Sequence, residues 1–433
     1  MKKVMVYGNG VSGKGAKKLL EHLGEEVILV DDKTAISSSE ALKHLDDTKL
    51  FIKSPGIPYT KLVNEAKVKG IKIIDEIELA YNYIVDKSLP VKIIAITGTN
   101  GKSTTTAKIS DMLNFAGYKA TFAGNIGVSL AETILNNPTL DYIALELSSF
   151  QLENIENFKP YISMIINMGP DHIERYKSFD EYYDTKFNIQ KEQDGNCYFI
   201  ENIDDVEIEK RKSWIKTNKV TISKFNLADV YIKDEKIFFK DEYITDRENL
   251  SLKGIHNLEN VLFMIATAKI IGIDNTKIKD FLSVATPLEH RTEEFFNYGK
   301  IKFINDSKAT NVDSTRFALE TNKNCILICG GYDKGVDLKP LAQLIKENNI
   351  KETYLIGVIA EKIKTLLLEI GYDEKKIFML DNLEKTLLFL KEKLDKNIED
   401  VVLLSPATSS YDQFNSFEHR GKVFKELVLK IFG

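Results

Sequence analysis

The segment Thr97-Gly98-Thr99-Asn100-Gly101-Lys102-Ser103-Thr104 follows a β-branched apolar run, Val91 to Ile96, and opens directly into a helical pattern. A glycine-rich turn between a strand and a helix belongs to parallel α/β sheets, so these eight residues restrict the fold more than any other stretch. The backbone N–H groups of such a turn and the helix N-terminus behind it can cradle phosphate oxygens. Lys102 adds a point charge and Ser103 a hydroxyl for Mg2+. The spacing departs from the usual phosphate loop, because Ile96 stands where the first glycine is expected. A turn that only caps a helix is the plainer reading; the Gly-Lys-Ser tripeptide in this setting favours nucleotide binding over it.

The same alternation recurs along the whole chain. Val4 to Tyr7, a glycine turn, a helical stretch from Gly15 to Leu23 and a strand ending at Val30, Asp31 and Asp32 form a βαβ unit, and apolar runs near Phe51 and Ile73 continue it. The polar stretch Asp86 to Pro90 reads as a linker. Strands at 91–96, 142–147 and 163–167 then predict a second, mainly parallel unit, with the charged stretch 197–250 as its antiparallel appendage. From Lys302 a third α/β series begins, with strands near Phe303, Ile326, Tyr354 and Val401. The expected fold class is therefore α/β in three tandem domains: a Rossmann-like domain at 1–90, a phosphate-loop domain with an antiparallel appendage at 91–287, and a second Rossmann-like domain at 288–433.

Composition excludes several functions. Lys plus Arg number 59 against 64 Asp plus Glu, a net charge of −5, so there is no global attraction to nucleic acid or to an anionic membrane, and any phosphate site must be local. The apolar stretch after Lys2 and Lys3 breaks at Gly8, and no segment has the length of a membrane span. Cys197, Cys325 and Cys329 form neither a disulfide framework nor a spaced metal cluster. A cytoplasmic protein is expected. Of the 59 basic residues only Arg175, Arg211, Arg247, Arg291, Arg316 and Arg420 are arginine, which marks them as places needing a planar, bidentate donor.

Other polar groups gather where strands end. Gly8-Asn9-Gly10-Val11-Ser12-Gly13 matches GxGxxG, with Asp31, Asp32 and Lys33 after the next strand; this specifies a nucleotide-type crevice but not a reaction. Glu146 and His172 follow two strands of the phosphate-loop unit and could converge on a metal beside Ser103. Four of the six histidines lie in polar clusters: His172, His256 within Gly254–Asn260, His290 beside Arg291 and His419 beside Arg420. Asn257 reads either as a base contact or as a helix cap. Asn305–Asn311, Gly330–Gly335 and Ser405–Ser410 each follow a strand of the third unit and together describe one anion-binding crevice.

Taken in order, GTNGKST (Gly98–Thr104), GNIG (Gly124–Gly127), ELSSFQLE (Glu146–Glu153), DHIERY (Asp171–Tyr176), HNLEN (His256–Asn260), EHRTE (Glu289–Glu293) and NDSKATN (Asn305–Asn311) resemble the Mur ligase family over the whole chain. SPGI at Ser54–Ile57, GGYDKGVDL at Gly330–Leu338 and SPATSSYDQFNSFEHRG at Ser405–Gly421 are most similar to the member that adds D-glutamate to UDP-N-acetylmuramoyl-L-alanine. The resemblance implies a UDP-sugar domain, an ATPase domain and a third domain that closes over the nucleotide and brings in the amino acid. It implies ATP and two Mg2+ as cofactors, with Lys102 on the phosphates, Ser103 and Glu146 on one Mg2+, and His172 with an N-carbamylated Lys186 on the other. Gly98, Thr99, Asn100, Gly101 and Thr104 complete the loop. Asn257, Asn260, Arg291, Asp306 and Lys308 would also meet ATP. Val11, Ser12, Asp31, Lys33 and Ser54 would hold the uridine diphosphate, Asn125 and Ser148 the muramoyl-alanine, and Thr310, Lys334, Ser410 and Phe417 D-glutamate. Lys102, His172, Lys186 and Arg291 are the residues carried over as catalytic. Lys33 stands where the family has an arginine, and Asp32 beside it is an additional acid.

The implied partners are these small molecules, with no nucleic acid, no membrane insertion and a monomeric chain. Two other classes stand beside this reading. A nicotinamide-dependent dehydrogenase would use the first unit, and a nucleotide-gated binding protein would carry out no net chemistry. Within the ligases, a sibling adding another amino acid or extending folate remains an alternative.

Overall fold

The computed structural model describes residues 2–169, 175–252, 254–286, 288–333 and 335–433, which form two compact units, Met1–Thr286 and Pro287–Gly433. The first unit holds two sheets. One is β1 (Lys3–Tyr7), β2 (Val27–Val30), β3 (Thr48–Lys53) and β4 (Lys72–Ile74), all parallel in spatial order β2-β1-β3-β4. The other has nine strands: β5 (Lys92–Thr97), β6 (Ala120–Gly124), β7 (Tyr142–Glu146), β8 (Ile162–Ile165), β9 (Tyr198–Asn202), β10 (Asn218–Ser223), β11 (Val230–Lys233), β12 (Lys236–Phe239) and β13 (Glu242–Asp246). Their order is β13-β12-β11-β10-β9-β8-β5-β7-β6, so β5 lies between β7 and β8, at the point where successive crossovers change direction. Such a switch point opens a crevice at the carboxyl ends of the strands.

The stretch expected as an antiparallel appendage of this domain continues its sheet. β9, β10 and β11 pair in parallel, and only β12 and β13 run antiparallel at the edge. Short, charged strands hid the parallel pairing, because register with a distant neighbour leaves no local trace. The first helix likewise begins at Val11 rather than Gly15. Gly13 and Gly15 lower helix propensity there, but each is required by close approach: a Cβ would stand 1.8 Å from the Gly8 carbonyl oxygen or 2.0 Å from Ser129 Oγ.

The two sheets of this unit share one core, which runs from Val4, Val6 and Leu19 through Ile77 and Ala80 to Ile93, Leu145 and Leu152. Helices Val11–His22, Glu76–Asp86 and Leu130–Asn136 pack together across it. Acidic side chains fasten the seam. Glu78 accepts from the N–H groups of Glu156, Asn157 and Phe158 at 3.0, 2.8 and 3.1 Å, and Glu76 Oε1 accepts from Ala131 N at 2.5 Å. Burial pushes Glu76 up to about 8 and Asp75 up to about 7. On the other face, the helix Ile255–Ile271 lies against Lys102–Phe115, the helix behind the phosphate loop. Val261 to Ala266 are all fully buried, as an almost uniformly apolar helix requires.

The second unit is a six-stranded sheet of β14 (Glu293–Tyr298), β15 (Ile301–Asn305), β16 (Ile326–Gly330), β17 (Glu352–Ile356), β18 (Ile377–Met379) and β19 (Asp400–Leu404) in the order β14-β15-β19-β16-β17-β18. Only β14 is antiparallel to its neighbour. Cys329 lies within β16 and Cys325 just before it, both buried as free thiols. No helix of the described residues is long and apolar enough to cross a membrane.

Candidate active site

The turn after β5 is shaped by two glycines and tied by its own amides to the segment after β8. Gly101 caps the helix Lys102–Phe115 with φ +81°, and Gly98 adopts φ +148°. A Cβ on Gly101 would stand 2.5 Å from Asn260 Oδ1, so glycine is needed for both conformation and space. Thr99 N donates to Asn167 O at 2.9 Å and Asn100 N to Asn167 Oδ1 at 2.8 Å, tying the turn to the residues that follow β8. Thr99 Oγ1 donates to Gly169 O at 3.1 Å and accepts from Gly169 N at 2.9 Å. We expect Gly101→Ala to cost about 1–2 kcal/mol in left-handed backbone strain alone and to weaken nucleotide binding. Unchanged melting temperature and ADP affinity would contradict this geometry.

Around the turn stand the groups that a triphosphate and a cation need. Lys102 Nζ folds back onto Gly98 O at 2.9 Å and Thr99 O at 2.8 Å. Lys186, 1% exposed on the helix Phe179–Phe187, donates to the same Gly98 oxygen at 2.9 Å, with its ammonium 4.6 Å from the centre of the Tyr182 ring. Both side-chain nitrogens thus converge on one carbonyl oxygen of the loop. Ser103 is buried in the first turn of the helix. Glu146, at the end of β7 and in register with Ile96, is buried as well. Its Oε1 accepts from Asn125 Nδ2 at 2.9 Å, whereas Oε2 is buried without a hydrogen-bond partner among the described residues. An ionisable carboxylate oxygen left unsatisfied inside a sheet fits a hard divalent cation, which takes oxygen ligands.

Asn260 lies behind the turn rather than at its mouth: its Oδ1 accepts from Thr105 Oγ1 at 3.1 Å and its Nδ2 donates to Asn257 Oδ1 at 3.3 Å. Asn257 is no helix cap, because the cap position belongs to Gly254. Ser148 caps the short turn Ser149–Leu152 in a capping box with Gln151. Asp171, His172 and Lys334, and the side chain of His256, lie outside the described residues.

On the first sheet, β1 and β3 flank a second switch point. Gly8 has φ +101°, and Ser54 sits beside it, its Oγ donating to Gly8 O at 3.4 Å. Val11 and Ser12 form the first turn of a helix whose cap, Gly10, contributes no side chain. Asp31 is taken up by the turn itself: it accepts from Asn9 N, Lys33 N, Thr34 N and Thr34 Oγ1, and these bonds, led by that of Asn9, hold its carboxyl below the usual range. Asp32 accepts from Ser38 N at 2.6 Å.

In the second unit the three expected strand-end segments follow β15, β19 and β16, which are adjacent. Asp306 accepts from Ser405 Oγ at 2.7 Å and Thr292 N at 3.1 Å, and burial lifts it to about 6. Arg291 and Thr292 lie in a turn where His290 and Thr292 have positive φ, and Lys308 N donates to His290 O at 3.0 Å. Lys308 Nζ stands 5.5 Å from the Phe417 ring centre. Thr310 N donates to Lys308 O at 2.8 Å, and Ser410 is buried one strand away. Arg420, 1% exposed, binds the segments together, donating to Ser307 Oγ at 2.9 Å, Ser307 O at 2.8 Å and Thr408 O at 3.1 Å.

The arginine signal thus found planar, multidentate donors, but as braces. Arg175 grips Glu153 with two bonds of 2.9 Å and Pro55 O at 2.8 Å, and Arg211 holds Asp180, Asp184 and Glu207. Sequence reasoning missed Asn167 and the brace residue Glu153; both lie inside or beside stretches already singled out.

A strand-turn-helix cradle at the centre of a parallel sheet, with a buried carboxylate on the next strand, defines a phosphate-loop nucleotide-binding protein. Residues 96–268 match the Mur ligase middle domain. The UDP-N-acetylmuramoylalanine–D-glutamate ligase of Fusobacterium nucleatum is 68% identical over 433 residues, covering 100% of both chains. Among solved structures, the UDP-N-acetylmuramate–alanine ligase of Thermotoga maritima aligns with a TM-score of 0.62 at 18% identity, covering 99% of each chain. The MurF ligase of the same organism, in complex with ADP, aligns with a TM-score of 0.59 at 14% identity over 90% of this chain and 91% of that one. The chain belongs to the Mur ligase family, in its UDP-N-acetylmuramoylalanine–D-glutamate ligase branch.

Proposed function

We propose that the chain joins D-glutamate to UDP-N-acetylmuramoyl-L-alanine at the expense of ATP, a step of peptidoglycan precursor synthesis, as a cytoplasmic monomer. One observation carries the chemistry: a phosphate cradle beside a buried carboxylate that has one oxygen still unsatisfied. The full-length likeness to a ligase of that specificity carries the choice of substrates.

A free carboxylate is a poor acyl donor, since its oxide cannot leave, so the reaction is split in two. The terminal carboxylate of UDP-N-acetylmuramoyl-L-alanine attacks the γ-phosphorus of ATP, ADP departs, and an acyl phosphate remains. The amine of D-glutamate then attacks the acyl carbon, and phosphate leaves as the amide forms. The first step sets anion against anion, and Lys102 and the loop amides lower that barrier by neutralisation and positioning. Mg2+ held by Ser103 and Glu146, and at a second position by His172 and a carbamylated Lys186, would supply the remaining positive charge.

In this reading residues 1–90 hold the UDP moiety through Val11, Ser12, Ser54 and Lys33, with Asp31 shaping the turn. Residues 91–287 hold ATP, and Asn125 and Ser148 face the muramoyl-alanine. Residues 288–433 take D-glutamate through Thr310, Lys334, Ser410 and Phe417. The test is coupled ADP release with UDP-N-acetylmuramoyl-L-alanine while the amino acid is varied. Release should require both substrates and favour D-glutamate. Release without an amino acid, or preference for another one, would overturn the assignment. Lys186→Ala should lose most activity and regain part of it with added formate or acetate; indifference to them would remove the carbamate.

A further inference from the structure

We infer that Glu259 is a positioning residue for the phosphate loop, acting through the amide orientation of Asn167; this rests on the reading that the loop binds ATP. Glu259 lies on the helix Ile255–Ile271, inside the HNLEN stretch, and its side chain is 12% exposed. Its Oε2 accepts from Asn167 Nδ2 at 2.9 Å. Its Oε1 accepts from Asn202 Nδ2 at 3.1 Å and from Lys224 Nζ at 2.7 Å. Asn167 Oδ1 in turn accepts from Asn100 N at 2.8 Å.

This relay of hydrogen bonds is directional. A carboxylate only accepts, so Asn167 must present its NH2 to Glu259, and its oxygen is left for the Asn100 amide. A neutral amide at position 259 would remove that constraint: Asn167 could turn over, placing its NH2 against the Asn100 N–H and breaking the bond that holds the loop. Neighbouring contacts fix the rest of the segment. Asn202 Nδ2 also donates to Ile166 O at 2.9 Å, Met168 N donates to Asp205 Oδ2 at 2.7 Å, and Gly169 N to Thr99 Oγ1 at 2.9 Å. Residues 166–169 are therefore clamped from β9 and the following turn, and the charge of Glu259 is balanced by Lys224. Apart from Thr99, none of these side chains is among those that the phosphate-loop motif names.

The test compares Glu259→Gln, which keeps size and shape, with Asn167→Ala and with the double variant. Glu259→Gln should raise the KM for ATP and the Kd for ADP by about tenfold, while the KM for UDP-N-acetylmuramoyl-L-alanine stays within about twofold and the melting temperature holds. In the Asn167→Ala background the same change should have little further effect, since the pair acts as one unit. Additive losses in the double variant, or equal losses for both substrates, would overturn the clamp while leaving ATP binding intact. A wild-type enzyme with no saturable dependence on ATP would instead remove the reading beneath it.

Discussion

Replacing Lys102 by alanine is expected to abolish measurable ADP release, a fall in kcat of about a thousandfold or more. The ammonium already lies within the loop, bonded to the Gly98 and Thr99 carbonyl oxygens, so it needs only a short swing to meet a phosphate. Without it the cradle keeps its amides but loses the mobile positive charge that can follow the phosphoryl group as charge shifts. The fold should not suffer, because Lys102 is only partly buried at the first position of a helix that alanine favours. Coupled ADP release, with the melting temperature as control, checks both halves. Normal turnover would remove the ATPase assignment.

Glu146→Gln is expected to move activity and stability in opposite directions. Activity should fall by about a hundredfold or more, and the Mg2+ concentration needed for half-maximal rate should rise, because a neutral amide is a far weaker ligand for a hard cation. In the absence of Mg2+ and nucleotide the variant should melt a few degrees higher. The wild-type carboxylate is buried with Oε2 unpartnered among the described residues, and replacing such an incompletely paired buried carboxylate contributes stability of about 1 kcal/mol or more. The substituted side chain would still accept from Asn125 Nδ2 through its remaining oxygen, so the bond that Glu146 makes there is kept. A variant that melts lower without ligands and keeps its Mg2+ dependence would show that Glu146 serves the fold and not the cation. Sites that hold ligands often store such a cost in the free protein.

Much of this site was legible because its parts are local. A strand, a glycine turn and a helix are consecutive in the chain, so Gly98–Thr104 could be placed on the fold from the residues alone. The same holds for Glu146 at its strand end and for the segments after β15, β16 and β19. Residues whose part depends on what stands opposite were less legible. The bonds of Asn260 to Thr105 and Asn257, and those of Asp31 within its own turn, join positions far apart or depend on how the turn closes. Arginines marked as places needing a planar, bidentate donor, Arg175 among them, serve as braces, since such a donor suits a part-buried carboxylate such as Glu153 as well as a substrate.

The order of strands and helices, and the glycine turns and carboxylates at their ends, are readable from the residues alone. Hydrophobic period and turn composition act over a few residues, and that is the range over which a chain declares itself. Long-range packing added that β9 to β11 extend the central sheet in parallel, that the first two sheets share a core, and that Glu259 bonds to Asn167, 92 positions before it. Pairing and hydrogen-bond direction between distant segments are fixed by packing and by the need to satisfy every buried polar group, and neither is written in any single stretch.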